Sequence, residues 1–201
     1  MRIRKICYVV TIPTTIRSFF MSQLQYLAKH GFDVSVICAR DEKLLEDMGN
    51  GIHYIPTDIP RGISFGGSIK AVKELINIFK REKFDLIQYS TPNAALYASI
   101  AAKIVGCKIR NYHLMGFRYL GAHGIGKSIL KTIEKVSCWN STSIECVSRS
   151  NLELGIKEKV FPAEKATVVW NGSTGGVNLE RFDRSMQEES FLMKSRRFQN
   201  R

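Results

Sequence analysis

The residues able to do chemistry gather in four short stretches. The first is Thr11-Ile12-Pro13-Thr14-Thr15-Ile16-Arg17, which follows a β-branched run and opens an amphipathic segment. Hydroxyls and a guanidinium at a helix N-terminus suit an oxyanion or a sugar. Their other use is to make the turn and cap the helix. The second stretch is Ser90-Thr91-Pro92-Asn93. The third runs from His113 through Met115 and Gly116 to Arg118. A histidine at a strand end can serve as a base or a hydrogen-bond donor, and its plain alternative is a partly buried ring satisfied by core neighbours. Arg118 suits a phosphate or a carboxylate, or is an ordinary surface charge. The fourth stretch, Gly121 to Gly126-Lys127-Ser128, matches a phosphate-binding loop in form. Its context argues against that use. It stands well clear of the preceding strand, and no later strand ends in the acid that would complete a magnesium shell.

These stretches need a scaffold, and strand and helix patterns alternate along nearly the whole chain. Ile6–Val10, Val34–Ile37, Ile52–Ile55, Phe84–Tyr89, Lys108–Leu114, Ser143–Val147 and Ala166–Val169 read as strands. Ser18–His30, Asp41–Met48, a helix capped by Ser68 with Ile69, Val72, Ile76 and Phe79 as its apolar side, Asn93–Val105, Lys127–Trp139 and Ser150–Leu154 read as helices. In the Lys127–Trp139 helix, Ile129, Ile133 and Val136 are expected inward, with Lys127, Lys131 and Lys135 outward. Pro56–Gly67 reads as a loop. Apolar strands alternating with helices imply a doubly wound, mostly parallel Rossmann-like α/β sheet with helices on both faces. Ligands in such folds bind beyond the carboxyl ends of the strands. Thr11–Arg17, Ser90–Asn93 and Met115–Leu120 all fall there.

Composition narrows the function classes. The 201 residues are 44% hydrophobic and 24% charged, as in ordinary globular domains. The net charge of +12 points to an anionic partner: a phosphate-bearing ligand, a nucleic acid or an acidic membrane. No zinc module, RNA-binding motif or basic stripe interleaved with aromatics is present, so nucleic acid is not expected. The opening Gly-x-Gly-x-x-Gly of dinucleotide folds is missing after the first strand. Five widely spaced cysteines without a Cys-x-x-Cys read as reduced thiols packed as small hydrophobes. The four histidines join them at no metal-ligand spacing. The N-terminus is not read as a secretory signal, and no apolar run approaches the ~20 residues needed to span a bilayer.

Five segments in order resemble the N-terminal domain of a family-four glycosyltransferase of GT-B architecture. They are the opening strand–helix–strand unit from Lys5 to Cys38, and Asp85 to Ala94, similar to the family's "D-h-h-H-x-H-T-P-x-A" run. Met115-Gly116-Phe117-Arg118-Tyr119 resembles an "H-G-L-R-Y" turn. Glu145-Cys146-Val147-Ser148 resembles a strand ending in "V-S". The segment from Asn171 to Phe182 resembles "N-G-S-x-x-G-V-D-x-x-x-F". The sequence departs from that pattern where Gln88 and Ser90 replace the paired histidines, Met115 replaces the turn histidine and Asn178 replaces an aspartate.

The resemblance implies a domain spanning 1–183, with 184–201 as a basic tail or the stump of a donor-binding domain. It implies transfer of a sugar from a nucleotide-sugar donor to a lipid-linked saccharide acceptor, in assembly of capsule, exopolysaccharide or O-antigen. No resident cofactor and no metal are implied. His113 is the candidate catalytic residue, and Thr14, Arg17, Thr91, Asn93 and Arg118 are candidate acceptor-binding residues. The cytoplasm, or the cytoplasmic side of an anionic inner membrane, is the expected location. Residues 1–201 are expected to need a separate donor-binding domain for turnover. The alternative is a non-catalytic module that binds an acceptor or a partner. An open apolar patch around Trp170 and Val177 would support it.

Overall fold

The computed structural model describes residues 4–60, 65–176 and 179. The 184–201 segment, Val177, Asn178 and Phe182 lie outside them. Seven strands form one fully parallel sheet in the order β3-β2-β1-β4-β5-β6-β7. They are β1 (Lys5–Val9), β2 (Asp33–Cys38), β3 (Ile52–Pro56), β4 (Leu86–Tyr89), β5 (Ile109–Leu114), β6 (Ser143–Cys146) and β7 (Ala166–Thr167). The order reverses between β1 and β4, so connections leave that point in opposite directions and open a crevice at the carboxyl ends.

The helices divide between the two faces. A short helix α1 (Pro13–Thr15), a π turn (Ile16–Phe20) and helix α2 (Met21–Lys29) run as one rod. With α3 (Glu42–Met48) they cover β1–β3 through Ile16, Phe20, Leu24, Leu44 and Met48. Helices α4 (Phe65–Glu82), α5 (Pro92–Ile104) and α6 (Gly124–Asn140) pack on the other face, against Val9, Ile87, Tyr89, Tyr112 and Ile144. Helix α7 (Arg149–Lys157) links β6 to β7. In α5 the small residues Ala94, Ala98, Ala101 and Ala102 are fully buried, which lets the helix lie close to the sheet.

Two helices sit rotated from the expected pattern. In α4 the buried residues are Ala71, Leu75, Ile78 and Phe79, and Ile69 faces solvent. The helix also begins before Ser68, whose hydroxyl meets Tyr97 at 2.9 Å instead of capping it. In α6 the buried side is Glu134, Ser137 and Cys138, while Ile129 and Val136 point outward. The cause is a polar seam under α6. Tyr112 donates to Glu134 at 2.6 Å, and Tyr89 meets Ser141 at 2.6 Å. Arg110 donates to the Asn140 and Cys107 carbonyls and so caps the end of α6. A seam that satisfies its polar groups outranks the burial of an isoleucine.

The strands are not uniformly apolar either. On the face opposite α5 and α6, Gln88, Asn111 and Glu145 form a polar rung. Asn111 donates to Gln88 at 3.0 Å and to Glu145 at 3.4 Å, and Ser143 donates to Asn111 at 2.9 Å. All five cysteines are buried and unpaired.

Burial pushes the Glu134 carboxyl from its ordinary 4.5 up to about 7, against the opposing pull of the Tyr112 hydroxyl. The acid is therefore easiest to bury protonated. Its contribution is fully present below the unfolded value and is lost as pH rises through the folded one. The full shift is worth about 3 kcal/mol at most. Glu134→Gln, which keeps the acceptor for Tyr112, is expected to flatten the stability profile between pH 5 and pH 8 and to raise the midpoint at the alkaline end. Urea unfolding at both pH values measures it.

Candidate active-site crevice

At the reversal point Thr11 leaves β1 and Thr91 leaves β4. Their hydroxyls meet at 2.8 Å, and the Thr11 amide donates to the Thr91 hydroxyl at 3.2 Å. Thr91 takes φ +70°, a left-handed conformation rare for a β-branched residue. Its carbonyl accepts from Ala95 at 2.8 Å, so the same residue starts α5.

The two arginines on the crevice differ sharply. Arg17 makes a bidentate pair with Asp41, both bonds at 2.9 Å, and a further bond to Asp47 at 2.5 Å. Asp41 also accepts from Leu44 at the start of α3. The Arg17 guanidinium holds the Asp41 carboxyl down at about 2. Arg17 thus fastens the first helical rod to α3, and an incoming anion would have to displace two carboxylates. Arg118 is exposed on the turn Arg118–Gly121 and makes no ion pair among the described residues. It reaches the Asn93 side-chain oxygen at 3.4 Å, while Asn93 donates to the Pro60 carbonyl at 2.6 Å. Thr91, Asn93 and Arg118 therefore sit together, from the ends of β4 and β5. Thr14 is exposed on the first turn after β1.

His113 lies in the crevice wall, 2% exposed. Nε2 meets the Thr174 hydroxyl at 3.2 Å. Nδ1 faces the Glu145 carboxylate at 3.4 Å, outside hydrogen-bond alignment. The Phe20 ring packs edge-on, with centroids 5.3 Å apart. His113, followed by Asn111, holds Glu145 below the usual carboxylate range. Thr174 belongs to the segment after β7, where Ser173 donates to the Val147 carbonyl. His113 therefore tethers that segment to the sheet. Glu145 and Thr174 are not singled out by the sequence, because only the register of β5 on β6 makes Glu145 the neighbour of His113. Met115, at the position of the family histidine, lines a groove of about 470 Å³ with Arg17, Phe19, Val147 and Ser173.

The Gly121–Ser128 run forms no cradle after a strand. It passes from a 3₁₀ turn into α6, and Gly124 to Ser128 are exposed. Among the described residues no group of three His, Cys, Asp or Glu side chains is placed to hold a metal ion.

Residues 18–174 match the model of Glycosyltransferase Family 4. The chain belongs to glycosyltransferase family 4. Two curated relatives agree with this family. A capsular polysaccharide biosynthesis glycosyltransferase, CapM of Staphylococcus aureus, is 30% identical over 194 residues, covering 95% of this chain and 50% of that protein. An Escherichia coli enzyme, UDP-Gal:alpha-D-GlcNAc-diphosphoundecaprenol alpha-1,3-galactosyltransferase, is 24% identical over 184 residues, covering 89% of this chain and 46% of that protein. This family-four chain thus spans about half the length of those relatives. The fold is shared with the UDP-GlcNAc 2-epimerase of Methanocaldococcus jannaschii solved with UDP-GlcNAc and UDP. The TM-score is 0.62 at 16% identity, over 83% of this chain and 46% of that one. Anabaena HepE in complex with UDP and glucose gives a TM-score of 0.61 at 16% identity, over 86% and 45%.

Thr174→Val removes the hydroxyl that meets His113. One hydrogen bond of this kind contributes about 1 kcal/mol. The variant is expected to fold normally and to exchange the amides of 171–176 several-fold faster, read by hydrogen-exchange mass spectrometry.

Proposed function

We propose that this family-four chain forms the acceptor-binding half of a glycosyltransferase. The acceptor is a saccharide on a lipid diphosphate, and the donor is a nucleotide-sugar held largely by the remaining length of such enzymes. The observation that carries this reading is Arg118. It is the crevice arginine without a carboxylate partner among the described residues, and it stands beside Asn93 and Thr91 at the strand ends. A guanidinium there binds diphosphate oxygens in pairs, and Asn93 and the threonine hydroxyls offer partners to sugar hydroxyls. Arg17 acts in this scheme as a structural clamp.

The reading places no resident cofactor or metal in the reaction. His113 serves better as a positioning residue than as a base, since Thr174 occupies Nε2. The names of the two curated relatives support capsule or related surface polysaccharide, O-antigen included, as the product class. No helix among the described residues is long and apolar enough to cross a membrane. We place the protein in the cytoplasm, peripheral on the inner membrane where lipid-linked acceptors reside.

A second reading, a non-catalytic module that docks a partner, draws on one observation. Trp170 is 90% exposed and Val169 is exposed beside it. An apolar pair at this end of the domain suits contact with another protein domain.

Calorimetric titration of the purified chain with a water-soluble, short-prenyl diphosphate-linked GlcNAc tests the acceptor reading. Saturable binding is expected, weakened about tenfold or more by Arg118→Ala. Absence of binding, or an unchanged affinity in that variant, overturns it.

A further inference from the structure

Helix α6 is buried on one side and apolar on the other. One side packs on the sheet through Glu134, Ser137 and Cys138. The other carries Ile125, Ile129, Val136 and Trp139, exposed by 81%, 47%, 37% and 75%. Spacings of four, seven and three residues stack them along one line of the helix surface. At 1.5 Å per residue the line runs about 21 Å. A soluble helix ordinarily turns its polar side to water, so this stripe is unusual.

The stripe is bordered by positive charge. Lys135 is exposed on α6 itself, one turn before Trp139, and Lys103 lies 6.0 Å from the Trp139 ring. Lys131 is committed to Glu158 at 2.7 Å and is not part of the border. Beyond Trp139 an apolar groove of about 630 Å³ continues between α6 and the end of α7, lined by Ile156 and Phe161, with Lys135, Lys159 and Lys165 around it. The one acid within α6, Glu134, is buried on the opposite side.

We propose that this outer face of α6 docks on an anionic lipid bilayer, its apolar line entering the headgroup region and its lysines meeting lipid phosphates. An apolar line flanked by lysines, with an indole at one end, is the surface chemistry of an interfacial helix. Positive charge selects the occupant, because a second basic copy of this chain would be repelled. The site has a consequence for the crevice. Helix α6 starts three residues after the turn that carries Arg118. A bilayer along α6 therefore lies beside the crevice mouth, where a lipid-borne diphosphate would enter. The proposal rests on the lipid-acceptor reading for its biological sense, and its test is independent of it.

The test is flotation of the full chain with vesicles of phosphatidylcholine alone, or with roughly a third phosphatidylglycerol. The chain is expected to float with the anionic vesicles and not with the neutral ones. Each lysine near such a surface contributes about fivefold in partitioning. Lys103→Gln/Lys135→Gln should then weaken binding about 25-fold. Ile129→Ser/Trp139→Ser should abolish flotation while leaving thermal unfolding and binding of the soluble short-prenyl acceptor intact. In a Trp170→Phe background Trp139 is the one remaining indole, and its emission should shift to the blue on anionic vesicles alone. Equal binding to neutral vesicles, undiminished flotation of the Ser variants, or a dimer in solution that Ile129→Ser dissolves would each overturn the proposal. Loss of soluble-acceptor binding in the parent chain, with flotation intact, would instead fault the acceptor reading alone.

Discussion

Everything at the carboxyl ends of the sheet follows from the reversal of strand order between β1 and β4. One group of connections covers β1–β3 on the α2–α3 face, and the other covers the opposite face from β2 to β6 on the α4–α6 side. No connection can close over the point where they part, so backbone and side chains there must satisfy one another or a ligand. The threonine hydroxyl pair, the Arg118–Asn93 contact and the Met115 groove all lie along that line. None of them could be assembled on a sheet wound in one direction only.

Charge is distributed by the same logic. Where a helix must be fixed to its neighbour, opposite charges are spent on each other, as Arg17 is on Asp41 and Asp47. Where the chain borders the crevice, the Arg118 guanidinium has no such partner among the described residues. In the interior, one set of polar groups is paired within the seam of Tyr112, Glu134, Tyr89 and Ser141, and another along the Gln88–Asn111–Glu145 rung. The net positive charge of the chain is thus not one property. Part of it is internal fastening and part is surface available to anions.

Strand and helix order was legible in the sequence because apolar runs and glycine or proline punctuation mark element ends directly. The parallel doubly wound sheet followed from that alternation. Helix rotation was not legible. Ile129 and Val136 satisfy a helical apolar pattern as well as any core residues, and only the buried Tyr112–Glu134 bond shows which side of α6 faces in. Site residues were legible by location and not by role. Arg17 and Arg118 are equivalent on paper, and the acids that neutralise one of them lie 24 and 30 residues away. His113 was legible as a strand-end histidine, whereas its neighbours Phe20, Glu145 and Thr174 converge from three other parts of the fold.

Thr91 carries a last consequence. Glycine would occupy its backbone geometry without strain, and a β-branched side chain there costs on the order of 1–3 kcal/mol. The chain accepts that cost and gains an oxygen that grips Thr11 across the reversal. Any ligand that wedges β1 and β4 apart must first unclasp these two side chains. The span of the crevice at its root is thereby gauged by a single oxygen-to-oxygen separation, independent of how far the outer loops move.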